Sequence, residues 1–281
     1  MTILVTGQHG FLGRHIAARF AAAGHAVVGA GRPEIEIPSA AFEQLLATAQ
    51  PDLVVHCAGP ASVPASIADP DADRAGAVEV LRGLLERLGS ARLVLVSSAA
   101  VYGQPEGLPI GEDTPLAPVS PYGRARVEAE QLAAASGVPL VIARVFSAYG
   151  EGLRKQVLWD IAARALAGGP IRLSGTGEET RDFVHARDVA AAIAAIAERG
   201  SFEGEAVNVA TGAETSIARL AQLLTEELGA GGTVRFSGVG RPGDPERWRA
   251  DITRLRELGF EPAVAIEDGA AAYARWARSA A

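Results

Sequence analysis

The sequence predicts an α/β protein: a doubly wound parallel sheet, with a smaller C-terminal lobe partly interleaved with it. Three observations carry this expectation. Strand-like and helical runs alternate up to about residue 145, the pattern of a parallel sheet covered on both faces. A glycine-rich turn joins the first strand-like run to the first helical one. Beyond residue 150 the alternation loosens. The chain has 281 residues, 48% of them hydrophobic and 21% charged, which fits a folded protein of one large or two average domains and excludes a disordered one.

Thr2–Thr6 is a short apolar strand entering the glycine loop, and a helix then runs to Ala23, stopped by Gly24. A second strand, His25–Ala30, a helix, Ala40–Ala49, and a third strand, Asp52–His56, follow. The pattern continues with helix Asp73–Leu88, strand Arg92–Val96, helix Pro121–Ala135 and strand Pro139–Val145. After that, Arg154–Ala167, Asp188–Glu198, Ser216–Leu228, Asp251–Leu258 and Ile266–Ala277 are helical in period. Ile171–Leu173, Ala206–Val209 and Thr233–Phe236 are strand-like. The expected division is a dinucleotide-binding domain over residues 1–150 and a substrate lobe over 151–281, with some later segments returning to the sheet.

Several classes of function are excluded. A net charge of −7 without a basic tract argues against a nucleic-acid binder, since phosphate neutralisation needs clustered cations. The longest apolar stretches, such as Val189–Ala197, are about half of the 20 residues a bilayer span requires. Cys57 is the single cysteine and has no internal disulfide partner; His9, His15, His56 and His185 show no metal-ligand spacing and read as structural, so no metal is expected. With no basic-then-apolar leader at Met1, the expected location is the cytoplasm.

Gly7, Gly10 and Gly13 stand between a strand and a helix, which makes them informative. The first permits a tight turn, the second lets backbone approach a pyrophosphate, and the third allows close helix–strand packing. Phe11 and Leu12 open a helix whose N–H groups face an anion. This is a Rossmann-type dinucleotide site. NAD-binding sites usually carry an acid near the end of the second strand; here the residues are Gly29-Ala30-Gly31-Arg32. A guanidinium suits a 2′-phosphate, so NADP(H) is the favoured cofactor. Glu34 and Glu36 follow closely, and NAD(H) stays open.

Val94–Gly103 (VLVSSAAVYG) is a buried strand ending in hydroxyls. Tyr122 lies just inside the helix that begins near Pro121, with Arg126 on the same face. A phenol is a poor acid or base at neutral pH unless a cation lies nearby. Arg126 would supply that cation, while Ser98 holds the reacting oxygen and Tyr122 exchanges its proton.

Together these blocks resemble the extended short-chain dehydrogenase/reductase superfamily, in its nucleotide-sugar epimerase/dehydratase/reductase group. The resemblance rests on Thr6–Gly13 (TGQHGFLG), Val54–Gly59 (VVHCAG), Val96–Gly103, Ser120–Arg126 (SPYGRAR), Arg181–Val189 (RDFVHARDV), Asn208–Gly212 (NVATG) and Arg241–Asp244 (RPGD). It implies that Ser98 and Tyr122 are the catalytic hydroxyls and that Ala58 and Gly59 line the cofactor. It also implies that Arg181, Arg241 and Asp244 hold the nucleotide diphosphate and ribose of a nucleotide-sugar substrate. Helices Asp73–Leu88 and Pro121–Ala135 resemble the pair through which relatives form homodimers.

Three positions depart from the family pattern. Arg126 replaces the lysine that contacts the nicotinamide ribose, Ala77 replaces a helix asparagine, and Ser147 stands where the substrate-side asparagine is usual. The Asp-Glu pair that performs 4,6-dehydration is here Ala99-Ala100, which carries no proton-transfer group. That leaves reduction and epimerisation; Gly31-Arg32 and the short span after the second strand favour reduction of a nucleotide-linked 4-keto(-6-deoxy)hexose, with a nucleotide-sugar 4-epimerase as the alternative. A binding or regulatory protein that keeps the dinucleotide pocket without catalysis is the reading from another class, motivated by the three departures.

Overall fold

The computed structural model describes residues 1–230, 234–240 and 245–280. The chain opens with β1 (Thr2–Thr6), α1 (Phe11–Ala22), β2 (Ala26–Ala30), α2 (Ala40–Ala49) and β3 (Leu53–His56). Next come α3 (Val63–Ala68), α4 (Pro70–Arg74), α5 (Val80–Leu85), β4 (Arg92–Ser98), α6 (Pro121–Ala135) and β5 (Leu140–Val145). Then follow β6 (Ser147–Tyr149), α7 (Gln156–Ala167), β7 (Ile171–Leu173), β8 (Thr180–Arg181), β9 (Phe183–His185), α8 (Ala186–Arg199) and β10 (Glu203–Val209). The last elements are β11 (Thr215–Ser216), α9 (Ile217–Glu227), β12 (Val234–Phe236), α10 (Thr253–Glu257) and α11 (Ile266–Ala280).

Six strands make one parallel sheet in the order β10-β5-β4-β3-β1-β2. Side chains alternate across it. Ile3 and Val5 join Ile16, Phe20 and Ile193 under α1 and α8, whereas Leu4 joins Phe42, Leu81, Leu84 and Ala129 on the opposite face. With both faces covered, the central strands need no polar side, which is why β3 is buried along its whole length. A further core gathers α7, α9 and α11 around Leu158, Leu220 and Tyr273. β10, from the later part of the chain, pairs with β5 and completes the sheet.

The chain runs outward from β1 to β2 and then returns past β1 to β3. That reversal opens a crevice between the carboxyl ends of β1 and β3, the place where such sheets bind ligands. The helix expected over Asp73–Leu88 is interrupted: α4 ends at Arg74, Ala75–Glu79 form a π turn, and α5 resumes at Val80. Within that turn only glycine fits at position 76, since a Cβ there would come within 2.8 Å of Pro60 Cγ. Asp69 caps α4 by accepting from Ala72 N at 2.9 Å, and Pro70 follows at the first helical position, so the helix starts before Asp73. The stretch Asp251–Leu258 shortens to α10, since Asp251 turns back to accept from Thr253 N at 2.9 Å. Among the described residues, no helix is long and apolar enough to cross a membrane, and no cluster of His, Cys, Asp and Glu could hold a metal.

Candidate active site

The glycine loop closes over the crevice. Gly7 has φ +67°, its N–H donates to Ala30 O at 2.6 Å, and a Cβ on it would sit 2.9 Å from Ala58 N. A Cβ on Gly13 would meet Gly7 O at 2.1 Å, so only glycine lets α1 pack this tightly under the turn. Gly10 is the N-cap of α1 and donates to Gly7 O at 2.8 Å, while no side chain caps the helix. Its first N–H groups are thus left for an anion. Phe11 and Leu12 anchor this first turn, against the C-terminal core and the sheet core respectively. Ala58 N donates to Thr6 Oγ1 at 3.3 Å, and Gly59 follows at φ +138°. A cradle of backbone where side chains would clash fits a dinucleotide.

At the end of β2, Arg32 is exposed and has no partner among the described residues. The acid nearby is Glu34, whose carboxylate lies 3.0 Å from His9 Nε2 of the glycine loop. Gln8 Nε2 is 3.1 Å from the same imidazole nitrogen, and the Gln8 side chain lies across Gly29. A carboxylate is therefore held beside the loop that faces the cofactor. Sequence reasoning left Glu34 as an alternative and did not identify Gln8; its proximity to Gly29 depends on how β1 and β2 pair.

Ser98 ends β4 and caps the short 3₁₀ turn Ala99–Val101, accepting from Ala100 N at 3.2 Å. Tyr122 opens α6, whose N-cap Ser120 accepts from Gly123 N at 3.1 Å. Gly123 is needed here because a Cβ would lie 2.6 Å from Ala100 O; the first turn of α6 thereby packs onto the turn after Ser98. Tyr122 N donates to the buried Ser66 Oγ at 3.1 Å, a contact with α3 that sequence reasoning missed. Arg126 is 7% exposed and lies over the Tyr122 ring at 5.0 Å. Its Nη2 donates to Pro60 O. Lys155 Nζ, from the start of α7, donates to the neighbouring Ala61 O at 2.7 Å. Two cations thus hold adjacent carbonyls of one loop.

His56 and Cys57 are structural, in keeping with their place at the end of β3. His56 Nδ1 is 2.8 Å from Thr6 Oγ1, and burial pushes its pKa down to about 3. Burial pushes the Cys57 thiol up to about 12, leaving it unreactive. Behind the site, Arg144 of β5 meets Glu130 of α6 at 2.8 Å and donates to Tyr102 Oη at 3.0 Å.

On the substrate side, Ser147 N donates to Asp182 O at 3.0 Å, which joins β6 to the region of Arg181. Arg181 is half-buried and one of its donors is on Thr180 O at 2.9 Å. Asp182 accepts from Thr211 N at 2.8 Å, Gly212 N at 2.9 Å and Ala250 N at 3.1 Å, so it braces the lobe. Arg241 and Asp244 lie outside the described residues.

The sheet order and the glycine cradle define the class first: an α/β fold built to hold a dinucleotide at the β1/β3 crevice. The NAD dependent epimerase/dehydratase family matches residues 3–210, and the chain belongs to that family. It is an enzyme of the extended short-chain dehydrogenase/reductase type. It is 33% identical over 305 residues to a UDP-glucose 4-epimerase of Mycolicibacterium smegmatis, covering 96% of each chain. The fold superposes with a TM-score of 0.91 on a UDP-glucuronic acid 4-epimerase from Bacillus cereus in complex with UDP-glucuronic acid and NAD, at 26% identity and full coverage of both chains. A dTDP-glucose 4,6-dehydratase from Streptomyces venezuelae with NAD bound superposes with a TM-score of 0.89 at 28% identity, covering 99% of this chain and 97% of that one.

Proposed function

We propose that the protein is an NAD-dependent nucleotide-sugar 4-epimerase. The observation that carries the reading is the proton-transfer inventory at the carboxyl end of β4. Ser98 and Tyr122 lie on adjoining turns, while positions 99 and 100 present only methyl groups. One phenol serves oxidation and reduction at a single hydroxyl-bearing carbon; elimination of water across two carbons needs a further acid and base. The epimerase relative and the epimerase structure support the same choice over the ketoreductase that Arg32 favours. The glycine cradle of Gly7, Gly10 and Gly13, with Ala58 and Gly59, would hold NAD, which would supply the reversible hydride acceptor that oxidation and reduction at one sugar carbon require.

In this mechanism Tyr122 withdraws the hydroxyl proton as the carbonyl forms and returns it after the ring has turned. Ser98 Oγ orients the reacting oxygen, and Arg126 supplies the positive field over the phenol. Arg181, with Ser147, Arg241 and Asp244, holds the nucleotide while the sugar is released to rotate. Charge-assisted hydrogen bonds to a diphosphate suit that task, since they keep the nucleotide in place without touching the hexose. The two regions 1–150 and 151–281 would divide the labour as cofactor and substrate halves. Pairing of α4–α5 and α6 with a second copy would complete a homodimer.

Two expected outcomes test this reading. Purified protein, denatured after extensive dialysis, should release close to one NAD per chain, and the untreated protein should interconvert C4 epimers of a UDP-hexose without added cofactor. Exchangeable NADPH and net reduction of a 4-keto sugar would establish the reductase instead. The second concerns Glu34, whose carboxylate would repel a 2′-phosphate brought to the end of β2. Glu34→Gln should raise the affinity for NADPH relative to NADH by about tenfold in a binding titration; an unchanged ratio removes Glu34 from cofactor selection.

A further inference from the structure

Lys155 is the one lysine of the chain, and its place is locally unfavourable. It is the N-cap of α7 and makes no capping hydrogen bond with its side chain, at the end of the helix where a cation opposes the dipole. Gln156, directly after it, has φ +66°, a left-handed backbone that residues other than glycine adopt at a cost. Two local penalties therefore fall on consecutive residues. What they deliver is a side chain that crosses to the loop after β3 and donates to Ala61 O at 2.7 Å.

Lys155 is exposed, but the segment that carries it is firmly held. Arg14 Nη2, from α1, donates to Glu151 O at 2.7 Å, and Arg187 Nη2, from α8, donates to Glu151 Oε1 at 2.8 Å. Tyr273 Oη, from α11, donates to Leu153 O at 2.6 Å. The segment that receives Lys155 leads into the site. Ala61 precedes Ser62, which caps α3 by accepting from Ala65 N at 3.2 Å. Further along α3, the Ser66 hydroxyl donates to Val63 O at 2.8 Å and accepts from Tyr122 N at 3.1 Å. Arg126 engages the preceding carbonyl, Pro60 O, from the side of the Tyr122 ring.

We propose that Lys155 is a positioning residue. It clasps the loop after β3 to the start of α7 and, through α3 and Ser66, fixes the backbone on which Tyr122 is presented. A displacement of about 1 Å in a reacting group costs on the order of 10²-fold in rate, so such a clasp affects turnover without touching the sugar. Its effect on turnover rests on Tyr122 being the proton-transfer group of an epimerase; the contact itself is tested independently of any substrate.

Amide hydrogen exchange of the whole protein, read by mass spectrometry, tests the clasp. In Lys155→Met, exchange should quicken by about fivefold or more in residues 62–68 and 121–126, with other peptides near the parent. Lys155→Arg, which keeps a donor, should recover most of the protection. Kinetics test the consequence: in Lys155→Met, kcat for C4 epimerisation of a UDP-hexose should fall by about tenfold. The affinity for UDP should stay within about twofold, Tm should move by less than about 2 °C, and Lys155→Arg should regain most of the turnover. Unchanged exchange in both peptides of Lys155→Met overturns the proposal. Faster exchange with kcat within about twofold of the parent overturns it too, since the contact would then be structural alone. A parent without epimerase activity would instead overturn the reaction assigned above, and the exchange result would still decide the clasp.

Discussion

Tyr122→Phe is expected to lower epimerase turnover by about 10²- to 10⁴-fold, the usual contribution of a positioned proton-transfer group. That corresponds to roughly 3–5 kcal/mol of lost transition-state stabilisation. The substitution removes one oxygen and keeps what holds the residue. The ring still lies under the Arg126 guanidinium, and the backbone N–H still donates to Ser66 Oγ at 3.1 Å. The loss should therefore fall on kcat, with the affinity for the nucleotide sugar and the content of bound NAD essentially unchanged. Single-turnover kinetics beside a binding titration separate the two. Turnover within tenfold of the parent would mean that the proton leaves by another route. Ser98→Ala should show a smaller loss of the same kind, because Ser98 orients the oxygen and transfers no proton in this scheme.

The other large effect lies beneath the site. Glu130→Ala is expected to destabilise the protein by about 3–5 kcal/mol, the typical cost of leaving half of a buried ion pair unmatched. Glu130 and Arg144 are 3% and 7% exposed, and the guanidinium meets the carboxylate through Nη2 at 2.8 Å and Nε at 3.2 Å. Without Glu130, the partners of Arg144 among the described residues are Tyr102 Oη at 3.0 Å and Glu112 O at 2.9 Å, and Ser97 Oγ loses its acceptor. At about 2–4 °C per kcal/mol for a chain near this size, Tm should fall by roughly 10 °C. Replacing both members by methionine should restore most of the loss, because it removes the uncompensated charge along with its partner. A fall of less than about 1 kcal/mol in the single variant would show that water or Glu112 takes over the guanidinium.

These two effects also mark where sequence reasoning reached and where it stopped. The placement of Tyr122 beside Arg126 was legible because it is local: a tyrosine at a helix start with a cation one turn on. The Arg144–Glu130 pair was not. Glu130, in a helix rich in charge, has the pattern of a solvated face, and its burial follows from α6 packing flat on β4 and β5. The interruption of the helix over residues 73–88 was equally hidden, and so was the contact that requires glycine within it, because the Pro60 ring packed against Gly76 comes from a separate loop. Arg32 illustrates a different limit. It occupies the expected place for a 2′-phosphate ligand, yet the folded loop brings Glu34 to His9, and the family is NAD-dependent.

The amino-acid order alone was enough for the parallel α/β architecture, the glycine cradle and the membership implied by its motifs. Each of those is written in short-range patterns: hydrophobic period, glycines at a strand–helix turn, hydroxyls at a strand end. The tertiary structure decided which charges meet. That Arg126 reaches Pro60, that Lys155 reaches Ala61, and that Asp182 braces Thr211, Gly212 and Ala250 depend on segments brought together by sheet order. The physical reason is that Coulomb and hydrogen-bond energies are set by distance and burial. Both are properties of the packed chain, and neighbouring residues carry no record of them.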